Sequence, residues 1–416
     1  MKRVLALLLF AAAAGCGHDV VAPDAPPPPA ATRDGRWIQD VDYMTSQLAR
    51  LHPNLFFATP RSEFEAAAQQ LKDRVPQLQD HEVVVGLMRV AALPGDAHTA
   101  VQRWSGFHRL PVRLERLADG LYVVAAEASL TEALGARLVA VGDVEAAALE
   151  AGAAALVSHE NDAWLRNQVP DLLAVPEVLY ALGATRSPTG ARVWLQRTGG
   201  PLFALDLEAR TPLPPLVDVT TAAGFPQPLH AQRTGENYWM TEVEGSRAIY
   251  VHYRRCQNGS EPFAAFAGRL FRLLDEGGAD RLVVDVRHNG GGNSDVDDAL
   301  MNGLQGRAAW RGRGRLFCLI GSGTFSSAVW TANDLQRLGA VLVGTPTGGR
   351  PNSYGNVQTL VLPSSRLEVS YSTRYFRIIE ASDPASLMPE VMVEPTIEDV
   401  RTGRDPLLEA ALRFTP

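Results

Sequence analysis

Three short segments carry residue types that could do chemistry together. The first, Asp285-Val286-Arg287-His288-Asn289-Gly290-Gly291-Gly292-Asn293, directly follows a hydrophobic run. Three glycines in succession leave backbone N–H groups unobstructed, so that they can approach an anion or a developing oxyanion closely. A P-loop is excluded because no Gly-Lys-Ser/Thr follows, and a dinucleotide fingerprint because the G-x-G-x-x-G spacing is absent. The purely structural use of such a segment is a tight strand-to-helix turn. The second, Gly321-Ser322-Gly323-Thr324-Phe325-Ser326-Ser327-Ala328, joins a strand pattern to a helical one. A serine there lies at the positive end of the helix dipole, and the next backbone N–H can meet an oxyanion. Thr324 or Ser326 could equally serve as a helix cap. The third is His98, alone among nine histidines in a compact turn, Gly95-Asp96-Ala97-His98-Thr99. A serine served by a histidine base is the chemistry of acyl transfer.

The elements that must position these residues follow from periodicity. From Trp37 to about Ala92 the pattern is helical. Ser62-Glu63-Phe64-Glu65 reads as a capping box, Pro76 ends that helix, and a second apolar-periodic stretch covers 81–92. Residues 108–210 read as β-rich with one or two helices. Within them Gly135-Ala136-Arg137-Leu138-Val139-Ala140-Val141, with Gly142 and Asp143 in the turn, resembles a piece of PDZ domains. Residues 211–235 hold five prolines without periodicity and read as a linker. Strand patterns at 248–253, 282–286, 315–320 and 341–343 then alternate with helical patterns at 263–274 and 325–338, the last closed by Gly339. Such alternation predicts an α/β sheet covered by helices.

The chain has 416 residues, 46% hydrophobic and 20% charged, with a net charge of −7. It carries no Lys/Arg-rich run, which argues against nucleic acid as a partner. Metal chemistry is disfavoured because no His-Glu-x-x-His or clustered Cys/His spacing occurs, and no cofactor is expected. At the N-terminus, Lys2 and Arg3 precede an apolar stretch too short to span a bilayer. Ala13-Ala14-Gly15-Cys16 resembles a bacterial lipoprotein cleavage box, with Cys16 as the lipidated residue. Residues 1–16 are then a signal peptide and 17–34, rich in proline, a tether. This predicts a lipid-anchored protein of the bacterial cell envelope. Gly17 after the cysteine points to the outer membrane, facing the periplasm or the cell surface. The two other cysteines, Cys256 and Cys318, could pair in an oxidising compartment, but Cys318 reads as a strand-core residue.

Taken together, Asp-x-Arg-x-Asn-x-Gly-Gly at 285–292, Thr-x-Ser-x-Ala at 324–328, Val-Gly-x-Pro-Thr-x-Gly at 343–349 and the Gly403-Arg404-Asp405-Pro406 ending resemble the tail-specific and tricorn-type serine peptidases. The resemblance implies an α/β, ClpP/crotonase-like catalytic core (236–416), an N-terminal helical subdomain carrying His98 (35–107) and a degenerate PDZ-like insert (108–210). It implies Ser326 as nucleophile and Gly291 and Ser327 as oxyanion donors. In the processing-protease branch a lysine follows the Pro-Thr-x-Gly motif. Here Arg350 stands in its place, and arginine does not give up its proton. The resemblance is therefore to the branch with an Asp-x-His-Thr turn, in which His98 is the base. The acidic member falls on Asp383 or Glu380 if Pro389-Glu390 is the matching pair, or on Glu390 if Glu394-Pro395 is. The implied activity is a serine endopeptidase acting on extracytoplasmic proteins or peptides. The alternatives are a non-catalytic binding lipoprotein on the same scaffold and an acyl-transfer enzyme with a coenzyme A pocket.

Overall fold

The computed structural model describes residues 21–102 and 106–416. The readings placed on Cys16 and the signal segment lie outside them. No helix among the described residues is long and apolar enough to cross a membrane.

A six-stranded sheet forms the centre. Its order is Val391–Met392, Val341–Gly344, Leu316–Ile320, Arg281–Asp285, Ala248–Tyr253 and Tyr238–Glu242, all parallel except the last. Leu316–Ile320 is buried throughout, as a parallel strand covered on both faces must be. Helices Phe263–Asp275, Asp298–Gln305 and Ser327–Arg337 cover one face. Pro406–Arg413 covers the other, setting Leu407, Leu408 and Ala411 against Tyr250, Phe317 and Val343. The mixed α/β architecture expected for this region is therefore present.

The N-terminal helices Arg33–Leu51, Arg61–Arg74 and Asp80–Ala92 do not close a core by themselves. Met44, Leu48, Phe64 and Leu87 share one with Leu360, Val369 and Tyr371 of the hairpin Ser353–Val361 and Glu368–Phe376. Ala100–Val101 joins that hairpin as a third strand, with Ala100 opposite Ser370. The chain is thus pinned two residues after His98. The expected capping box at Ser62 is absent: the helix begins at Arg61 after Pro60, so Ser62 is already inside it. A box forms instead between Gln79 and Glu82 at the next helix.

Residues 112–218 build an antiparallel sheet of seven strands, with helices Ala146–Ala154, Asp162–Leu172 and Pro176–Ala181 packed on it. Part of the expected linker belongs to this sheet, since Leu216–Asp218 pairs with the edge of Gly120–Glu127. The described part of the expected tether also differs from a free chain. Prolines lack N–H but keep their carbonyls, and this segment lies along the first helix as a series of acceptors. Arg50 donates to Ala22 O (2.7 Å), Tyr43 to Asp24 O (2.6 Å) and Gln39 to Pro28 O (2.8 Å).

One buried ion cluster ties the glycine-rich loop to the end of the chain. Arg287 donates through Nε to Asp285 (3.0 Å) and through both terminal nitrogens to Asp405 (2.8 and 3.0 Å). Tyr250 donates to the other oxygen of Asp285, which Arg287 also pairs, and Asp405 caps the last helix at Leu408 N–H. Burial opposes ionisation of both carboxyls, yet Arg287 holds them below the ordinary carboxylate range. Their folded values lie below the unfolded one of about 3.9, so this stability is present above that pH and lost as acid protonates them. Arg287→Ala leaves two buried, uncompensated carboxylates. It should cost about 3–5 kcal/mol in urea unfolding at pH 7, with a smaller difference from wild type below about pH 4.

Candidate active site

Ser326 stands between the buried strand Leu316–Ile320 and the helix Ser327–Arg337, with φ +54° and ψ −131°. Few side-chain-bearing residues take a positive φ, and one does so only when its surroundings enforce it. Thr324 Oγ1 donates to Val286 O (2.8 Å), and Phe325 N–H donates to Asn289 O (2.9 Å). Ser327 Oγ donates to Gly292 O (2.7 Å). The elbow is thereby tied to the glycine-rich loop at three points. Gly291, at φ +93°, presses against it: a Cβ there would lie 2.7 Å from Ser326 Cβ and 3.0 Å from Ser327 N. The serine does not cap its helix, because its side chain makes no cap bond.

The two expected oxyanion donors differ in state. Ser327 N–H opens the helix, where no intrahelical acceptor exists, and makes no hydrogen bond among the described residues. Gly291 N–H is held by Asn289 Oδ1 at 2.9 Å.

His98 is placed by its own turn. Asp96, fully buried, accepts from His98 N–H (3.0 Å), from Thr99 Oγ1 (2.6 Å) and from His52 Nε2 (3.2 Å). Asn54 N–H donates to His52 Nδ1, which leaves the proton on Nε2, facing Asp96. Burial works against the charge on Asp96, but these donors and His98 overcome it, and the group stays ionised far below the ordinary range. The imidazole of His98 lies against Phe325 at a ring separation of 4.6 Å, and Phe325 stacks on Trp164 at 4.1 Å. His98 Nδ1 is 3.7 Å from Asp96 Oδ1. Among the described residues neither ring nitrogen has a hydrogen-bond partner, so the structure brings His98 to the residue before Ser326 but shows no bond between them.

A loop from the middle sheet region completes the enclosure. Ser158 Oγ donates to Thr99 O, and Asn161 Nδ2 donates to Ala385 O (2.7 Å). Between them Glu160 accepts the backbone N–H of Arg350, while its Oε2 is enclosed without a partner among the described residues. Burial and the neighbouring charge of Asp96 push the Glu160 carboxyl up to about 8.

The sequence-predicted acids lie elsewhere. Asp383, about half exposed, is engaged by Arg350 and by Asn352 Nδ2 (3.2 Å). Glu380 is at the surface, its side chain 86% exposed beside Arg377, and Glu390 pairs with Arg313. None of the three hydrogen-bonds His98. The carboxylate that does approach it is Asp96, from within the histidine's own turn. Sequence reasoning missed the roles of His52, Glu160 and Trp164. Of these, only Trp164 had a local signal nearby, the helix cap Asn161. Cys256 and Cys318 are both buried and unpaired.

No family model and no curated protein matches the chain. Solved structures do. Mature CPAF aligns at a TM-score of 0.64 with 14% identity, over 91% of this chain and 97% of its own. Mature CPAF complexed with lactacystin aligns over the same shares at 0.62 and 14% identity. This chain has the CPAF fold. The tricorn protease also aligns, at a TM-score of 0.44 and 15% identity, over 91% of this chain and 36% of that one. The likeness to CPAF runs through the helical part, the middle sheet and the core, so all three bodies that meet at Ser326 and His98 belong to the shared fold.

Gly291→Ala should displace the elbow, since its new methyl meets Ser326 and backbone. The expected result is a loss of about 1–3 kcal/mol in stability and a drop of about a hundredfold in reaction of Ser326 with a fluorophosphonate. The raised value of Glu160 gives a separate test. With a folded value near 8 against about 4.3 unfolded, stability falls as pH rises across that interval. Glu160→Gln should flatten this decline in thermal unfolding and be more stable than wild type at pH 8.

Proposed function

We propose that the protein is a serine peptidase of the tail-specific and tricorn-like kind, in the branch that uses a serine and a histidine. The observation that carries this reading is the backbone of Ser326. A residue forced to positive φ at the end of a buried strand, at a helix N-terminus and beside a free N–H, is arranged to present a nucleophile. A helix cap needs none of that strain.

Ser326 Oγ attacks the peptide carbonyl while His98 takes its proton, and His98 then hands the proton to the departing amine. Water then attacks the acyl-enzyme as His98 takes its proton, and His98 returns that proton to Ser326 Oγ as the ester bond breaks. The tetrahedral oxyanion is received by Ser327 N–H, with Gly291 N–H as second donor once it shares or releases its bond to Asn289 Oδ1. For the transfer the His98 ring turns from Phe325 toward Ser326 Oγ. Catalytic hydrogen bonds that form only with substrate bound are common. Asp96, 3.7 Å from Nδ1, is the carboxylate that orients the ring and meets its positive charge.

The finer architecture supports the same reading. We take the central sheet as a ClpP/crotonase-like core and the antiparallel sheet of residues 112–218 as a PDZ-like module. With Cys16 lipidated, the enzyme would be an envelope lipoprotein cleaving extracytoplasmic proteins or peptides, internally rather than only at their ends.

Labelling with a fluorophosphonate probe tests the central claim. Wild type should react, Ser326→Ala should not, and His98→Ala should react at least about a thousandfold more slowly while unfolding at the same temperature as wild type. Equal labelling of wild type and Ser326→Ala would overturn the assignment.

A further inference from the structure

Asn289, fully buried, is the hub of the glycine-rich loop. Its N–H donates to Val286 O (3.0 Å) and its carbonyl accepts Phe325 N–H (2.9 Å). Its side chain donates through Nδ2 to Tyr253 O (3.0 Å). The amide oxygen, Oδ1, accepts Gly291 N–H at 2.9 Å and faces the Cys256 thiol at 3.7 Å. A residue tied at so many points stays in place when a neighbour moves.

The loop that follows it is held unevenly. Gly291 O accepts Cys256 N–H (3.0 Å), Gly292 O accepts Ser327 Oγ (2.7 Å), and Asn293 N–H donates to Cys256 O (2.8 Å). The peptide unit between Gly290 and Gly291 has less. Its carbonyl has no partner among the described residues, and its N–H has Asn289 Oδ1. Gly290 is exposed, and a Cβ built on it would meet nothing within 4 Å. Flanked by two glycines, this unit can turn while its neighbours remain fixed. Turning takes Gly291 N–H off Oδ1 and leaves that buried oxygen to the thiol. A buried acceptor with no donor is costly, and even a weak S–H donor reduces the cost. Burial pushes the Cys256 thiol up to about 11, so the proton it would donate is present at neutral pH.

We infer that Asn289 and Cys256 are positioning residues for the oxyanion site. Asn289 Oδ1 parks Gly291 N–H at rest, and the Cys256 S–H takes over that oxygen when the N–H leaves to meet the oxyanion. Both act through Gly291, and the inference rests on the peptidase reading, because it concerns the second donor of the proposed hole.

Two measurements on the full chain test it, each on wild type, Cys256→Ala and Cys256→Ser. The first is the concentration dependence of fluorophosphonate labelling. Cys256→Ala should lower the limiting first-order rate at least about fivefold and leave the half-saturating probe concentration unchanged. Cys256→Ser, which keeps the shape and donates more strongly, should recover the rate. The second reads the loop without chemistry at Ser326: amide hydrogen exchange of Gly291 in [15N]glycine-labelled protein. Exchange requires release from Oδ1, so it should be at least about fivefold slower in Cys256→Ala and restored in Cys256→Ser. Cys256→Val repeats the comparison should the alanine variant fail to fold. A wild type inert to the probe but showing this exchange pattern would remove the peptidase reading and leave the parked N–H standing. Equal Gly291 exchange with and without a donor at position 256 would overturn the proposal, as would a labelling loss that serine does not recover.

Discussion

The backbone at Ser326 is held in a conformation that the residue would abandon if left alone, and much of the structure serves to prevent that. Pressure comes from two sides. On one, Gly291 lies so close that a Cβ there would overlap Ser326. On the other, a Cβ at Gly349 would fall 2.9 Å from Ser326 N and 3.1 Å from Phe325 Cα. Gly349 N–H donates to Thr324 O (3.0 Å), so contact and hydrogen bonding act together. A strained residue of this type costs on the order of 1–3 kcal/mol. Here the cost is spread over a closely packed pair of loops, themselves anchored by the buried Asp285–Arg287–Asp405 cluster. The ion cluster is thus one step removed from Ser326: it fixes the loop that fixes the elbow.

His98 reaches the same place by an independent route. Its turn hangs between the helix Asp80–Ala92 and the short strand Ala100–Val101, which pairs with a hairpin belonging to the C-terminal half of the chain. The N-terminal helices lack a complete core without that hairpin, so the packing that folds them also delivers the histidine. The middle region adds a third contribution through residues 158–161 and the start of the helix Asp162–Leu172, whose Trp164 stacks on Phe325 beneath the imidazole. The site exists only where three bodies meet. This explains why short, tied loops and the first turns of helices, rather than the interiors of regular elements, carry the groups in it.

Local signals stood out in the sequence and distant ones did not, for physical reasons visible in particular residues. Ser326, His98 and the glycine run sit in segments whose composition departs from that of strands and helices, and the strands of the central sheet announce themselves as apolar runs. Ser62 misled because a capping pattern is defined only relative to where the helix starts, and with Pro60 as its cap the helix starts two residues earlier. The proline-rich segment misled because proline predicts a lack of donors, not a lack of contacts. Asp383 and Glu380 were placed by offset from a neighbouring motif. What decides whether a carboxylate serves a histidine is the side chain it meets, and Asp383 meets Arg350. His52 and Glu160 left no trace because their partners lie 44 or more positions away or on another body.

Asp96, which approaches His98, and the neighbouring carboxyl of Glu160 illustrate how the fold assigns charge. Asp96 and Glu160 share one enclosure, and like charges in such a place cannot both persist. Asp96 receives three donors, including the backbone N–H of His98 itself, whereas Glu160 receives one and has an enclosed oxygen with none. The difference decides the outcome: Asp96 keeps its charge and Glu160 keeps its proton at neutral pH. In the proposed mechanism a single negative charge, that of Asp96, would then meet the imidazolium formed when Ser326 gives up its proton. A second would hold the proton on His98 more tightly and slow its transfer to the leaving group. Hydrogen-bond supply, rather than residue type, sets which acid takes which role.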